Sequence, residues 1–281
     1  MTNHRESKLL WRMAGIVTVV TACLMFATFV AGQESPRLTP AQREIERQRQ
    51  RLGSLEVEER RDALMRLANL KRPEASRAAA AALNDTSPTV RAAAAHAVLS
   101  LPNHEAATLL LPLLKDKTEF VRREVAFALG ATRHSSGVSA LIDLLNRDKE
   151  RSVRAAAAIA LGEIGDAAAV PALSQIIAGD GPKRQKSRSD EEEFVVRSAV
   201  RSLGQIGSRA AVPVLIGALQ NESNSIDTRR EAAIGLGRLG DAAALPALNA
   251  AFQANADPYL SEAARIAVRQ INRTKVKGAG N

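Results

Sequence analysis

The hydrophobic positions of this chain recur with a helical spacing that is clearest at residues 149–180, KERSVRAAAAIALGEIGDAAAVPALSQIIAGD. Val153, Ala157, Leu161 and Ile164 fall at i, i+4, i+8 and i+11, so they share one face of a helix. Gly165 then supplies a residue that tolerates the left-handed conformation at a helix C-terminus. Asp166 follows as the cap of a second helix, and Pro171 sits early in it, where a missing N–H costs little. Val170, Leu173, Ile176 and Ile177 give this second helix its own apolar stripe. Neither short helix can bury its stripe alone, so the pattern predicts that neighbouring pairs stack.

The same unit recurs along the chain. Residues 194–220 read FVVRSAVRSLGQIGSRAAVPVLIGALQ, and residues 224–255 read NSIDTRREAAIGLGRLGDAAALPALNAAFQAN. A Leu-Gly pair marks the units at Gly130, Gly162, Gly204 and Gly237, and successive glycines lie 32, 42 and 33 residues apart. The long interval contains an insertion, GDGPKRQKSRSD at 179–190, which reads as a flexible surface loop. The glycines in general are expected at helix ends.

The pattern Val-Arg-x-x-Ala-x-x-x-Leu-Gly, followed by Gly-Asp-x-x-x-Val-Pro-x-Leu, resembles HEAT repeats, in particular the short bacterial subclass first associated with bilin lyases. The resemblance covers roughly residues 55–275, with seven helical pairs or part-pairs of which the first and last diverge. It implies an all-α fold, an α-solenoid of stacked antiparallel helix pairs. Divergent ends are expected, because a terminal repeat must turn one face to water. In HEAT repeats an aspartate and an arginine six residues later form a ladder of hydrogen bonds between units. Asp85 and Arg91, Asp116 and Arg122, and Asp148 and Arg154 have that spacing, and the resemblance implies that they form such a ladder. Past residue 180 Val196 replaces the arginine, and no aspartate stands six before Arg229, so the regular ladder is expected to weaken there.

Composition agrees with a thin helical stack. Apolar residues make up 46% of the chain but aromatics only 3%, so the core must be built from Ala, Leu, Val and Ile. The single cysteine, Cys23, excludes an intrachain disulfide framework. Arg5, Lys8 and Arg12 precede an uncharged run, MAGIVTVVTACLMFATFVA at 13–31, which is the order of an export signal. Cleavage after Gly32, retention as an anchor, and acylation at Cys23 are all compatible with it. Each delivers the rest of the chain across a membrane, to a periplasmic or extracellular location. The organisation expected is a signal peptide or membrane anchor at 1–32, a polar helical lead-in at 33–53, a solenoid at 54–275 and a flexible tail at 276–281. Thr39-Pro40-Ala41-Gln42 has the look of a capped helix start for the lead-in.

Function is sought on the Val-Arg helices, which line the concave side in HEAT solenoids. Counting 100° per residue from the core-facing valine, positions +2, +6 and +9 point away from the core. The +6 column holds His96, Phe127, Ile159, Arg201, Ile234 and Ile266, and the +2 column adds Arg123, Arg197 and Arg230. A surface of Phe127, Ile159 and Ile234 with Arg123, Arg197, Arg201 and Arg230 suits a protein segment, the apolar positions giving area and the arginines directional hydrogen bonds. The plainer alternative is solvated arginines with isoleucines packed sideways. Lys183, Arg184, Lys186 and Arg188 in the insertion rank second as a contact site, since Asp190, Glu191, Glu192 and Glu193 follow at once.

Catalysis finds little support. His96, His104 and His134 are dispersed, and His104–Glu105 is a single His-Glu pair, whereas the HEAT-repeat enzyme deoxyhypusine hydroxylase carries several. No metal or other cofactor is expected. Bilin lyase activity is the alternative that the resemblance suggests, although an outward address argues against it. The formal charge of +9 is compatible with nucleic acid, but outside its first 32 residues the chain has one tyrosine and no tryptophan for base stacking. The expected function is therefore an exported, non-catalytic scaffold for another protein, one that is acidic or belongs to the cell envelope. No nucleic acid is expected, and contact with a membrane only through the N-terminal segment.

Overall fold

The computed structural model describes residues 38–179, 190–254 and 257–278. The expected signal or anchor and the basic residues 183–188 lie outside them. No helix among the described residues is long and apolar enough to cross a membrane. The chain divides into two compact units between Glu44 and Ile45. The described part of the first, 38–44, opens helix α1 (Pro40–Arg51). There the Thr39 amide donates to Gln42 Oε1 at 2.8 Å and the Gln42 amide to Thr39 Oγ1 at 3.3 Å, the reciprocal capping box that the sequence suggests.

The second unit is a stack of alternating helices. One row comprises α2 (Val57–Asn69), α4 (Pro88–Ala97), α6 (Glu119–Thr132), α8 (Arg151–Ile164), α10 (Asp190–Ile206), α12 (Ile226–Leu239) and α14 (Pro258–Gly278). These are the Val-Arg helices. The other row comprises the shorter α3 (Pro73–Ala79), α5 (Asn103–Leu110), α7 (Val138–Arg147), α9 (Val170–Ala178), α11 (Val212–Gln220) and α13 (Leu245–Ala254). Six pairs and one unpaired last helix account for the seven pairs or part-pairs expected.

Turn chemistry follows the residues. Gly165, Gly207 and Gly240 adopt φ of +77°, +76° and +68° just past their helices, and Asp166 and Asp241 each accept a hydrogen bond at 2.9 Å from the amide two residues on. At the corresponding end of α6 stands Arg133, forced into the left-handed region at φ +52°. Val153, Ala157 and Leu161 are fully buried, as their spacing predicts, and Ile164 is half-buried. The largest fully buried side chains are all leucines, and none of the buried hydrophobic residues is aromatic.

The Leu-Gly glycines correct the sequence expectation. Gly130, Gly162, Gly204 and Gly237 lie in the last turn of their helices, two residues short of the end rather than at the terminating position, and all four are buried. A Cβ on Gly130 would stand 2.8 Å from Ala160 Cα, and one on Gly237 2.9 Å from Ala267 Cα. Position +9 is therefore where successive Val-Arg helices touch, not where they meet water. Small residues let this row close up along its length, whereas helices of the other row meet their successors only lightly. The Val-Arg helices are thus the more closely packed, inner row.

The aspartate–arginine ladder is present, with a different pairing. Arg91 grips Asp116 of the next unit through Nε and Nη2, at 2.7 and 2.9 Å, and Arg122 grips Asp148 likewise at 2.6 and 3.0 Å. The residue six before each arginine serves it through the backbone: Arg91 Nη1 donates to the Asp85 carbonyl at 2.8 Å. Each aspartate also accepts from the amide two residues on, in the turn that starts its helix. Burial pushes the Asp85, Asp116 and Asp148 carboxyls up, but the arginine and amide hydrogen bonds outweigh it and hold all three below the ordinary aspartate range.

Two rungs lie outside the expected set. Arg60 holds Asp85 at 2.7 and 2.9 Å, extending the ladder to the first unit. At the far end Arg154 reaches Glu192 at 2.9 Å, so an acid beyond the insertion takes the place of the missing aspartate. From there the ladder lapses as expected: Val196 is buried at the arginine position, and Arg229 donates to the Leu219 carbonyl at 2.9 Å.

Candidate binding face

The inner face is set by helical register. Residues at −1 and +6 from the buried valine position differ by only about 20° around a helix of 3.6 residues per turn. The +6 column is half-buried or exposed throughout, at His96, Phe127, Ile159, Arg201, Ile234 and Ile266. The +2 column is mixed, since Ala92 and Ala155 are buried while Arg123, Arg197 and Arg230 are half-buried. Phe127 and Ile234 rest partly against the core.

The −1 column supplies what the sequence reading missed. Phe120, Phe194 and Tyr259 stand there and are exposed, Tyr259 at 72%. Their signal was an aromatic residue immediately before the motif's core position. Arg123 lies over the Phe120 ring at 5.2 Å from its centroid, and Arg197 over Phe194 at 5.4 Å. The two stacks occupy the same register on α6 and α10. Between them α8 carries Ser152 and Ala155 at the equivalent positions.

Large and small residues so placed create a trough. A cavity of about 690 Å³ opens over α8, with Ser152 and Ala156 as its floor and Phe127, Arg123, Phe194 and Arg197 at its sides. Glu119, Glu150, Asp190 and Glu191 line the end where the helices begin. A second cavity, of about 440 Å³, lies between α12 and α14, around Arg230, Ile234, Tyr259 and Ile266. The candidate residues are thus divided: Arg123, Phe127 and Arg197 border the first cavity, Arg230 and Ile234 the second, and Ile159 and Arg201 neither.

Most of the arginines are already paired. Arg123 meets Glu124 at 3.1 Å, and Glu124 also contacts His96 at 3.1 Å. Asp227 lies between Arg197 and Arg230, at 3.1 and 2.8 Å. Arg151 binds Glu191 at 2.7 Å and Glu192 at 3.4 Å. Arg201 is exposed and has no ionic or hydrogen-bonded partner among the described residues.

The histidines converge on nothing. His104 and His134 lie with ring centroids 5.1 Å apart, while Glu105 is turned away to Arg77 at 3.1 Å. Among the described residues no group of three or more His, Cys, Asp or Glu side chains is placed to hold a metal ion.

The family model of HEAT repeats matches residues 45–126, 110–189 and 184–269. Among solved structures, YibA of Escherichia coli is similar at 20% identity and a TM-score of 0.56, over 83% of this chain and 82% of that one. The complex of CpcE and CpcF of phycocyanin lyase from Nostoc gives 22% identity and a TM-score of 0.49, over 85% and 97%. Human deoxyhypusine hydroxylase gives 20% and 0.40, over 82% and 96%. At these identities the likeness is one of fold. Comparison with curated proteins gives no significant match.

Proposed function

The chain belongs to the HEAT-repeat family, and from that premise we propose that it is a non-catalytic scaffold that binds a segment of another protein along its inner face. The observation that carries this reading is the placement of its aromatic residues. A packed core is where large apolar rings contribute most, yet none of the five described aromatics is buried there. Four of them, Phe120, Phe127, Phe194 and Tyr259, stand on the Val-Arg helices. Aromatic and arginine side chains are the types enriched where proteins meet. The same proposal takes the N-terminal segment as an export signal or anchor, so that the solenoid works in the periplasm or outside the cell.

The test is capture from detergent-solubilised envelope with the full chain as bait, against a Phe120→Ser, Phe194→Ser, Tyr259→Ser variant. These rings are exposed, so the variant should melt with the parent. A protein retained by the parent and lost with the variant supports the scaffold reading. Equal retention by both, or by neither, refutes it.

A further inference from the structure

The trough over α8 carries more than a docking face, because its charges do not cancel. Each arginine that lines it is matched inside the protein: Arg123 by Glu124, Arg151 by Glu191 and Glu192, and Arg197 by Asp227. The acids at its rim are less well matched. The Glu119 and Asp190 side chains make no salt bridge or hydrogen bond among the described residues; Glu119 and Glu150 feel Arg122 only at longer range, and the one close cation at the Glu150 carboxylate is Lys149 at 3.6 Å. Among the described residues, the charge left unpaired at the trough is negative, although the chain as a whole is basic at +9.

Apolar surface lies directly beside this charge. Phe194 is 43% exposed, and Phe127 stands opposite across the small residues of α8. A side chain with an apolar stem and a cationic tip meets both demands at once, its stem on the rings and its tip among the carboxylates. Interaxial spacings of roughly 8–10 Å put α6 and α10 far enough apart for one extended or helical segment to lie between their stacked walls.

We propose that this trough, walled by Arg123 and Phe127 on one side and Phe194 and Arg197 on the other and rimmed by Glu119, Glu150 and Asp190, docks a basic, aliphatic segment of a partner protein. A lysine or arginine of that segment enters at the rim, and its neighbouring aliphatic residues lie over Ala156. The inference rests on the scaffold reading and names the chemistry of what is bound.

The probe is a labelled decapeptide alternating leucine and arginine, with a leucine–glutamate counterpart, titrated against the full chain in detergent by fluorescence anisotropy. The arginine peptide is expected to bind saturably and at least tenfold tighter than the glutamate peptide. Glu119→Lys with Asp190→Lys should cut its affinity at least tenfold while leaving the melting curve in place, and Phe194→Ser should weaken it severalfold. Tighter binding of the glutamate peptide, or arginine-peptide binding indifferent to the double charge reversal, overturns the proposal. In either case a partner that depends on the aromatic residues in the capture assay would leave the scaffold reading standing. Self-association of the chain abolished by the same charge reversal would make a second copy the occupant, and would also overturn it.

Discussion

Gly204 of α10 and Gly235 of α12 bring two backbones together: a Cβ added to Gly204 would stand 2.7 Å from the Cα of Gly235. The converse contact is looser, since a Cβ on Gly235 would lie 3.3 Å from Gly204 Cα and 3.3 Å from a Leu215 methyl. Alanine is intrinsically better than glycine inside a helix by about 1 kcal/mol, so the sign of each substitution depends on space. Gly204→Ala should destabilise by about 1–3 kcal/mol through overpacking against backbone, and Gly235→Ala should be near neutral. Gly217 in α11 has nothing within 4 Å of its added Cβ, so Gly217→Ala should stabilise by about 0.5–1 kcal/mol. Urea midpoints of the three variants check the order.

The ladder predicts a second effect, at Asp116. Its carboxylate holds Arg91, which is buried to within 8% exposure, so Asp116→Asn leaves a charge inside the stack with its strongest partner gone. Breaking a buried pair from one side costs about 3 kcal/mol. Glu192→Gln should cost less, because Arg154 meets Glu192 through one hydrogen bond whereas Arg91 meets Asp116 through two. Equilibrium unfolding of the two variants measures the difference.

Acid should act through the same aspartates. Asp85, Asp116 and Asp148 are held below their unfolded value of about 3.9. A depressed carboxyl contributes stability that is complete above the unfolded value and is lost as pH falls through the folded one. The contribution of the ladder should therefore be flat from about pH 7 to 5 and decline below about pH 4. Urea melts of the parent and of Asp116→Asn should converge as the pH falls from 4 toward 2.

The periodic pattern made the helices legible, because apolar spacing, glycine ends and aspartate caps act within a few residues of one another. The rungs were not legible in the same way. Arg91 and its carboxylate at Asp116 are 25 residues apart in sequence, whereas the residues six apart share a hydrogen bond only through a backbone carbonyl. Arg60 was missed because Ser54 stands six before it, although Arg60, Arg91 and Arg122 are spaced by 31 residues. A helical wheel also does not say where the next helix lies. Position +9 faces away from the core on the wheel yet is a helix contact, while the aromatics at −1 lie beside +6 on the same wheel.

Arg133 offers a gain in stability. Its φ of +52° places a residue with a Cβ where the equivalent sites carry Gly165, Gly207 and Gly240. Lys71, at φ +50°, is in the same position after α2. A left-handed non-glycine residue costs roughly 1–2 kcal/mol, partly offset in the unfolded chain when glycine replaces it. Arg133→Gly and Lys71→Gly should each stabilise by about 0.5–1 kcal/mol, read as a rise in melting temperature.

On the proposed function, the inner face and not the outer row receives the partner. Site-specific photo-crosslinking tests it most directly, with a benzophenone side chain placed singly at Phe194, Ile159 or Tyr259 on the inner row and at Asp143 or Gln175 on the outer. One crosslinked partner is expected from the inner positions and none from the outer. Crosslinks of equal yield from both rows, or from the outer row alone, would contradict it.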